Sequence, residues 1–365
     1  MTCAMSELSS EETAANQGPT AIYRVDPLLD PRWKRFSETH PLAAVFHSVP
    51  WLEALRRTYG YKPVVLTTSA PNDVLANGLV FCRISSWITG RRFVSLPFSD
   101  HCDVLASSPA EQDCLLLALG ALLREEDAKY AEIRPLHSTP AGQTGFPPGQ
   151  DFLLHTIDLR RPAEDLFHSF HKDSIQRKIR RSEREGVTVE QGRSEAVLDK
   201  FYGLFLMTRR RHQLPPPPRI WFRNLIATLG DHLRIAVAAK AGRPIAAIVT
   251  LRFRDTVVYK YGASDPRFHA LGGMHALFWR AIQDAQLAGL SFMDLGRSDV
   301  SDEGLVTFKD RWGSSRSRVQ YFRNSLHGDS ATGTTRGGQA ARKVFSVMPL
   351  RLLGVAGRLL YKHVG

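Results

Sequence analysis

From Arg234 to Gly313 the spacing of apolar and polar positions changes several times, and each change marks an element. Arg234 to Lys240 and Ile245 to Phe253 alternate as strands across the tight turn Ala241-Gly242-Arg243-Pro244, and Thr256 to Ala263 follows as a third strand. A glycine-containing loop, Asp265 to Gly273, leads into a helical pattern over Met274 to Ala288, then a strand over Ser291 to Leu295. Phe308-Lys309-Asp310-Arg311-Trp312-Gly313 closes the stretch. Three antiparallel strands feeding a helix through a glycine loop place backbone N–H groups and a positive helix end where a phosphate can dock.

The same reading divides the rest of the chain. Residues 21–160 form a first domain: a short amphipathic helix from Trp51, strands over Lys62–Thr68, Leu79–Ile84 and Arg92–Leu96, a helix over Leu115–Glu126, and a strand begun by Glu132 and ended by Pro135. Thr139 to Gln150, rich in glycine and proline, marks a seam. Residues 161–324 form the second domain. It follows the strand Phe152–Leu159 and opens with one helix over Ala163–Glu185 that Gly186 terminates. A strand over Val187–Gln191 and a helix over Glu195–Arg211 come next, the helix stopped by the proline run 215–218. Residues 1–20 read as a polar disordered tail, 325–341 as a Gly/Ser/Thr linker, and 342–365 as a basic amphipathic segment. The fold class predicted is α/β.

Composition narrows the function classes. The 48 basic and 36 acidic side chains leave a net charge of +12, which suits either a generally basic surface or an anionic partner such as tRNA, a phosphorylated precursor or a membrane. The four cysteines, Cys3, Cys82, Cys102 and Cys114, have no metal or disulfide spacing and fit a reducing cytosol. No signal peptide and no run long enough to span a bilayer is expected, and no metal is expected among 13 histidines without paired spacing.

The strand order of 234–313 resembles the core of the GNAT acyltransferase superfamily. Phe292-Met293-Asp294-Leu295-Gly296-Arg297, followed by Phe308-Lys309 and Trp312-Gly313, is similar to the FemAB-like branch with its BioF-type acetyltransferase domain. Lys178 to Val187, a basic helix with a Gly-Val step, adds to the likeness. The resemblance implies two tandem GNAT-like domains, the first degenerate and the second catalytic. It also implies transfer of an acyl or aminoacyl group to an amine of a cell-envelope precursor, peptidoglycan or exopolysaccharide unit. No bound cofactor is implied. The donor is acyl-CoA, an acyl carrier or aminoacyl-tRNA, and the acceptor an envelope glycan or peptide. The protein would be cytoplasmic or peripheral at the inner face of the membrane. A catalytically silent scaffold that binds nucleic acid or membrane through basic surfaces is the alternative.

The resemblance assigns Lys309, after Phe308, to the oxyanion of the tetrahedral intermediate; otherwise it is a surface lysine on a helix that Phe308 and Trp312 anchor. Asp294 faces the gap where GNAT strands splay and can take the proton of the attacking ammonium, or it holds the Gly296 loop through backbone N–H groups. Alternation puts Tyr259 and Tyr261 on one face with Lys260 opposite; Tyr261 can exchange a proton in an acceptor groove or pack in the core. Arg211, in Thr208-Arg209-Arg210-Arg211 before Pro215, resembles the family's arginine for an acceptor phosphate, a role Arg297 can share; the arginines also suit a helix C-terminus without any ligand. Arg267 to Gly272 approaches the pyrophosphate loop of CoA-dependent enzymes, with Arg267 and Gly272 in place but Ala270 where a glycine belongs, or it is a plain strand-to-helix connection. The basic helix around Lys178 is either a solvated face or a contact for tRNA phosphates or lipid. The C-terminal segment either lies on an anionic bilayer or packs back on the body.

Overall fold

The computed structural model describes residues 20–326 and 344–363, so the expected tail and linker fall almost wholly outside the described residues. Twelve strands form one mixed sheet: β1 (Tyr23–Val25), β2 (Lys62–Thr67), β3 (Leu79–Ser86), β4 (Gly90–Val94), β5 (Tyr130–Ile133), β6 (Pro148–Asp158), β7 (Thr188–Gly192), β8 (Leu233–Lys240), β9 (Arg243–Phe253), β10 (Thr256–Ser264), β11 (Phe292–Asp299) and β12 (Ser315–Ser325). The helices are α1 (Pro31–Thr39), α2 (Val49–Tyr59), α3 (Pro109–Glu125), α4 (Ala163–Ser169), α5 (Arg177–Arg184), α6 (Glu195–Arg211), α7 (Arg219–Leu229), α8 (Gly273–Leu287), α9 (Glu303–Asp310) and α10 (Leu350–Leu360).

The order β1-β2-β3-β4-β5-β12-β6-β11-β10-β9-β8-β7 is that of two copies of one unit laid edge to edge. In each copy four antiparallel strands lead through a helix, α3 or α8, to a fifth strand parallel to the fourth. The sixth strands are exchanged: β12 pairs with β5 of the first copy, and β6 pairs with β11 of the second. β6 and β12 pair with each other and seal the halves into one sheet. The exchange explains why the seam before Phe152 does not separate the halves.

Three large apolar clusters cover the sheet. One spans both copies and contains Trp33, Phe46, Trp51, Phe201 and Trp221. A second lies under α5 and α8 with Phe170, Phe278 and Trp312. The third lies under α3. Apolar burial on this scale is the main source of stability.

Two expectations need correction. The single helix over Ala163–Glu185 is broken: α4 ends at Ser169, Phe170 is extended, and His171 accepts from the Ser174 N–H to start a π-helical turn that runs into α5. Side-chain capping by His171 and burial of Phe170 outweigh helix continuity. Tyr259 and Tyr261 do not share a face. Tyr259 pairs with Thr250 and Tyr261 with Val249, so Lys260 is the extra residue of a β-bulge, and the tyrosines enter opposite cores. Gly262 is part of the same adjustment, because a Cβ there would overlap the Tyr259 hydroxyl. Of the two readings left open for the C-terminal segment, its described residues pack on the body through one face. Leu353 and Gly357 are buried, and Gly357 lets the helix sit against the Pro216 carbonyl.

Candidate active site

β10 and β11 pair in register only from Thr256↔Phe292 to Val258↔Asp294. Beyond that point the bulge at Lys260 turns β10 aside, and β11 shifts register against β6 between Asp294 and Arg297. The two strands splay, and the gap gathers charged groups from both copies. Gly296, at φ 72°, allows the tight bend, and its N–H donates to Asp294 Oδ1 at 2.6 Å.

α9 supplies the lysine. Asp302 caps it by accepting from the Leu305 N–H, and Val306 and Lys309 point inward. Lys309 Nζ donates to the carbonyls of Gly296 at 2.6 Å and Arg297 at 3.2 Å. Only 3% of Lys309 is exposed, and burial pulls its pKa down to about 8, against the opposing pull of Asp100, Asp294 and Asp302. Phe308 packs between His275, Phe278 and Trp312 and fixes the helix rotation.

The first copy contributes the loop 95–103. Leu96 and Phe98 hold left-handed φ values of 61° and 63°, which non-glycine residues adopt at a cost. Arg134 steadies the loop by donating to the carbonyls of Leu96 and Ser99, and Tyr321 Oη donates to the Asp100 carbonyl at 2.9 Å. Asp100 Oδ2 accepts from Lys260 Nζ at 2.8 Å, and Arg297 lies 3.9 Å from its other oxygen. Burial would raise the Asp100 carboxyl, but Lys260 and Arg297 outweigh it and hold the pKa low. Burial lowers the pKa of Lys260 in spite of Asp100. His101 Nε2 lies 3.4 Å from Asp294 Oδ2; burial opposes protonation, yet the bond to Asp294 prevails and raises its pKa.

Beside the gap lies a cavity of about 600 Å³ lined by Arg134, Arg297, Arg323, Glu132, Ser298 and Tyr321, among others. Arg297 stacks over Phe152 at 3.9 Å, and its buried Nη1, like Ser298 Oγ, has no hydrogen-bond partner. A partly exposed guanidinium on a cavity wall suits an anionic or polar ligand.

The structure thus brings Lys309, Asp294, Arg297 and Phe308 to one place. Tyr261 stands deeper; its hydroxyl accepts from Trp221 Nε1 at 2.8 Å, and burial pushes its pKa well above the usual value, so it stays protonated. Arg211 is exposed beside the Ser264 carbonyl, whereas Arg209 of the same helix turns inward under Pro215 and Phe205. Arg267 is exposed and bound to Asp265 at 2.6 Å. Gly272, at φ 74°, caps the 3₁₀ turn before α8, and a Cβ there would strike the Lys178 carbonyl of α5. Its glycine is therefore required by close packing of α5. Asp100, His101 and Lys260 escaped the sequence reading. The one signal was a polar run, Ser99 to Asp103, too long for the apolar context on either side. Among the described residues, no group of three or more His, Cys, Asp or Glu is placed to hold a metal ion.

Residues 169–310 match the family model described as an acetyltransferase (GNAT) domain. The chain is 28% identical over 184 residues to the UDP-N-acetylmuramoylpentapeptide-lysine N(6)-alanyltransferase of Weissella viridescens; the match takes in 49% of this chain and 50% of that protein, about half the length of the relative. A crystal structure of FemX superposes with a TM-score of 0.64 at 14% identity, over 87% of this chain and 98% of that one. A tandem GNAT protein from the clavulanic acid biosynthesis pathway gives 0.54 at 12% identity, over 85% and 100%. The structural likenesses concern the fold, and they agree with the duplicated strand order. Residues 169–310 are thus similar to an acetyltransferase (GNAT) domain, and the fold as a whole is similar to those of FemX and of a tandem GNAT protein.

Proposed function

We propose that the protein transfers an aminoacyl or acyl group to an amine of a cell-envelope precursor, with the splayed gap between β10 and β11 as its reaction site. The observation that carries this reading is Lys309. An ammonium has three N–H donors, and two of them meet the Gly296 and Arg297 carbonyls. The third is available to an oxyanion in a site where low polarity strengthens the interaction. The amine attacks the carbonyl carbon of the donor, the carbonyl oxygen becomes the oxyanion beside Lys309, and the donor's oxygen or sulfur leaves when the carbonyl re-forms, taking up the second proton that the nitrogen releases. Asp294 receives the proton that the attacking ammonium must lose, with His101 alongside it. Arg297, on the wall of the cavity, orients an anionic part of the acceptor, and the exposed Arg211 is available to assist.

For the donor we propose aminoacyl-tRNA or a carrier-bound group over acyl-CoA. Gly272 is closed off by α5, Arg267 is neutralised by Asp265, and the exposed arginines Arg177, Arg180 and Arg184 of α5 offer a surface to tRNA phosphates. The alanyl group in the relative's name supports an aminoacyl rather than a simple acyl group as the one transferred. The protein would work in the cytoplasm. No helix of the described residues is long and apolar enough to cross a membrane, but the outer face of α10 exposes Leu352, Val355 and Leu359 with Arg351 and Arg358. That face suits reversible contact with an anionic bilayer.

Incubation with a panel of charged tRNAs and acyl-CoAs, scored for donor consumed in the presence of muropeptide precursors, tests the reading. Consumption of a charged tRNA supports it. Consumption of acyl-CoA alone would reverse the donor assignment, and no consumption of any donor would favour the silent scaffold.

A further inference from the structure

The C-terminal segment does more than pack against the surface. α10 leans on the second copy, with Gly354 beside Tyr202 and Leu206 of α6 and Gly357 against Pro216. The chain then crosses to the first copy. Tyr61 Oη donates to the Lys362 carbonyl at 2.6 Å, Arg92 Nη2 donates to the His363 carbonyl at 3.1 Å, and His363 Nδ1 meets Ser86 Oγ at 2.8 Å. Between these anchors Tyr361 stacks on Phe98, with ring centroids 4.7 Å apart and planes 25° from parallel. Tyr59, Tyr61 and Trp221 complete the aromatic box around Phe98. Phe98 is one of the two left-handed residues of the loop that carries Asp100 and His101 into the gap. A strained loop keeps one conformation only where its surroundings over-determine it. Arg134 binds the carbonyls of this loop, and Tyr361 clamps the ring of Phe98.

We propose that residues 350–363 are a strap that positions the active site: by seating Tyr361 on Phe98 it holds the 95–103 loop in the conformation that places Asp100 against Lys260 and His101 against Asp294. Tyr361 touches neither the lysine nor the gap groups through any hydrogen bond, so it acts through the loop as a positioning residue. This inference rests on the gap being the reaction site, but its first readout does not.

The test compares the full chain with Tyr361→Ala and Tyr361→Phe variants and with a chain ending at Leu326. Amide hydrogen exchange is followed over residues 95–103, with β8 to β10 as the internal reference. Transfer kinetics are measured with the donor that the panel identifies. The expected result is exchange at least tenfold faster over 95–103 in Tyr361→Ala and in the truncated chain, with unchanged reference strands. The kcat should fall about tenfold in both, and Tyr361→Phe should restore both readouts because the ring is kept. Loop exchange equal to that of the full chain in a folded Tyr361→Ala protein overturns the proposal, and so does a rise in turnover on truncation, which would mark the segment as a plug. Should the truncated chain fail to fold, the two full-length variants decide. Should the full chain transfer nothing, the functional reading fails while the exchange measurement still judges the strap.

Discussion

The two copies share a strand order but treat the same two positions in opposite ways. In each, the fourth and fifth strands run parallel for only a few residues and then part: β4 and β5 after Val94↔Glu132, β10 and β11 after Val258↔Asp294. In the first copy Arg134 braces the opening by binding the Leu96 and Ser99 carbonyls and Glu132, on the wall of the cavity that Arg297 also lines. In the second the opening holds Lys309, Lys260, Asp294 and Arg297, and it borrows Asp100 and His101 from the first copy's loop. The helix starts differ as well. Ser108 accepts from the Glu111 N–H and closes the beginning of α3, whereas α8 starts at Gly273 without any side-chain cap. Among the described residues the duplicated unit is therefore asymmetric: one copy uses its gap and helix start for its own structure and lends a loop to the gap of the other.

The largest effect on this contrast should come from Lys260. It and Asp100 are a buried pair, and removing one partner of such a pair costs about 3 kcal/mol or more because the other charge is left unmatched. Lys260→Met should lower Cm for urea unfolding accordingly. If instead the variant is as stable as the parent, Arg297 alone suffices to balance Asp100, and the first copy's loop is not held from the second.

The pH dependence sharpens the same distinction. Burial puts the Lys309 pKa at about 8, below its ordinary value, and the ammonium is the form that stabilises an oxyanion. The kcat should therefore fall as pH rises through about 8, approaching a tenfold loss per unit above it. Stability should move the other way. Above pH 8 the unfolded lysine binds more protons than the folded one until its own pKa near 10.4, so this group's contribution to stability rises with pH across that window. A rate flat to pH 9.5 would show that the ammonium has no part in turnover.

The helix starts give a smaller, paired effect. Ser108→Ala should cost about 1 kcal/mol of stability through the lost cap and leave turnover unchanged. Gly272→Ala should cost about 1–3 kcal/mol, from the left-handed backbone and the pressure on the Lys178 carbonyl, and should also move α5 and weaken donor use. Equal turnover in both variants would remove α5 from the donor site. The outer face of α10 should give the smallest effect. Each basic residue near an anionic surface contributes about 1 kcal/mol, so Arg351→Gln with Arg358→Gln should reduce sedimentation with phosphatidylglycerol vesicles roughly tenfold or more at low salt. Unchanged sedimentation would release that face from membranes.

Much of the second copy was legible because its signals are local. The alternation of Arg234 to Ala263, the helical period after Met274 and the Phe308-Lys309 pair each depend on neighbours in sequence. The features that were not legible depend on distant partners. The exchange of β6 and β12 pairs residues 315–325 with 130–133, and no pattern within either segment announces it. The bulge at Lys260 moves one residue out of alternation, which reverses the face of Tyr261 without any change in composition. Asp100 and His101 lie 160 and 193 residues before the groups they meet, so nothing near them in sequence announces the contact. The packing of Gly272 on α5 was invisible for the same reason, since a glycine needed for helix contact and one needed for phosphate approach are the same letter.

Steady-state transfer by the parent protein and by Lys309→Met, with folding checked by circular dichroism and urea titration, tests the role of the gap most directly. The variant should remain folded and should lose kcat by on the order of a hundredfold or more, as expected when a single oxyanion donor is removed. A folded Lys309→Met protein that turns over as fast as the parent would contradict the assignment of the chemistry to the gap between β10 and β11.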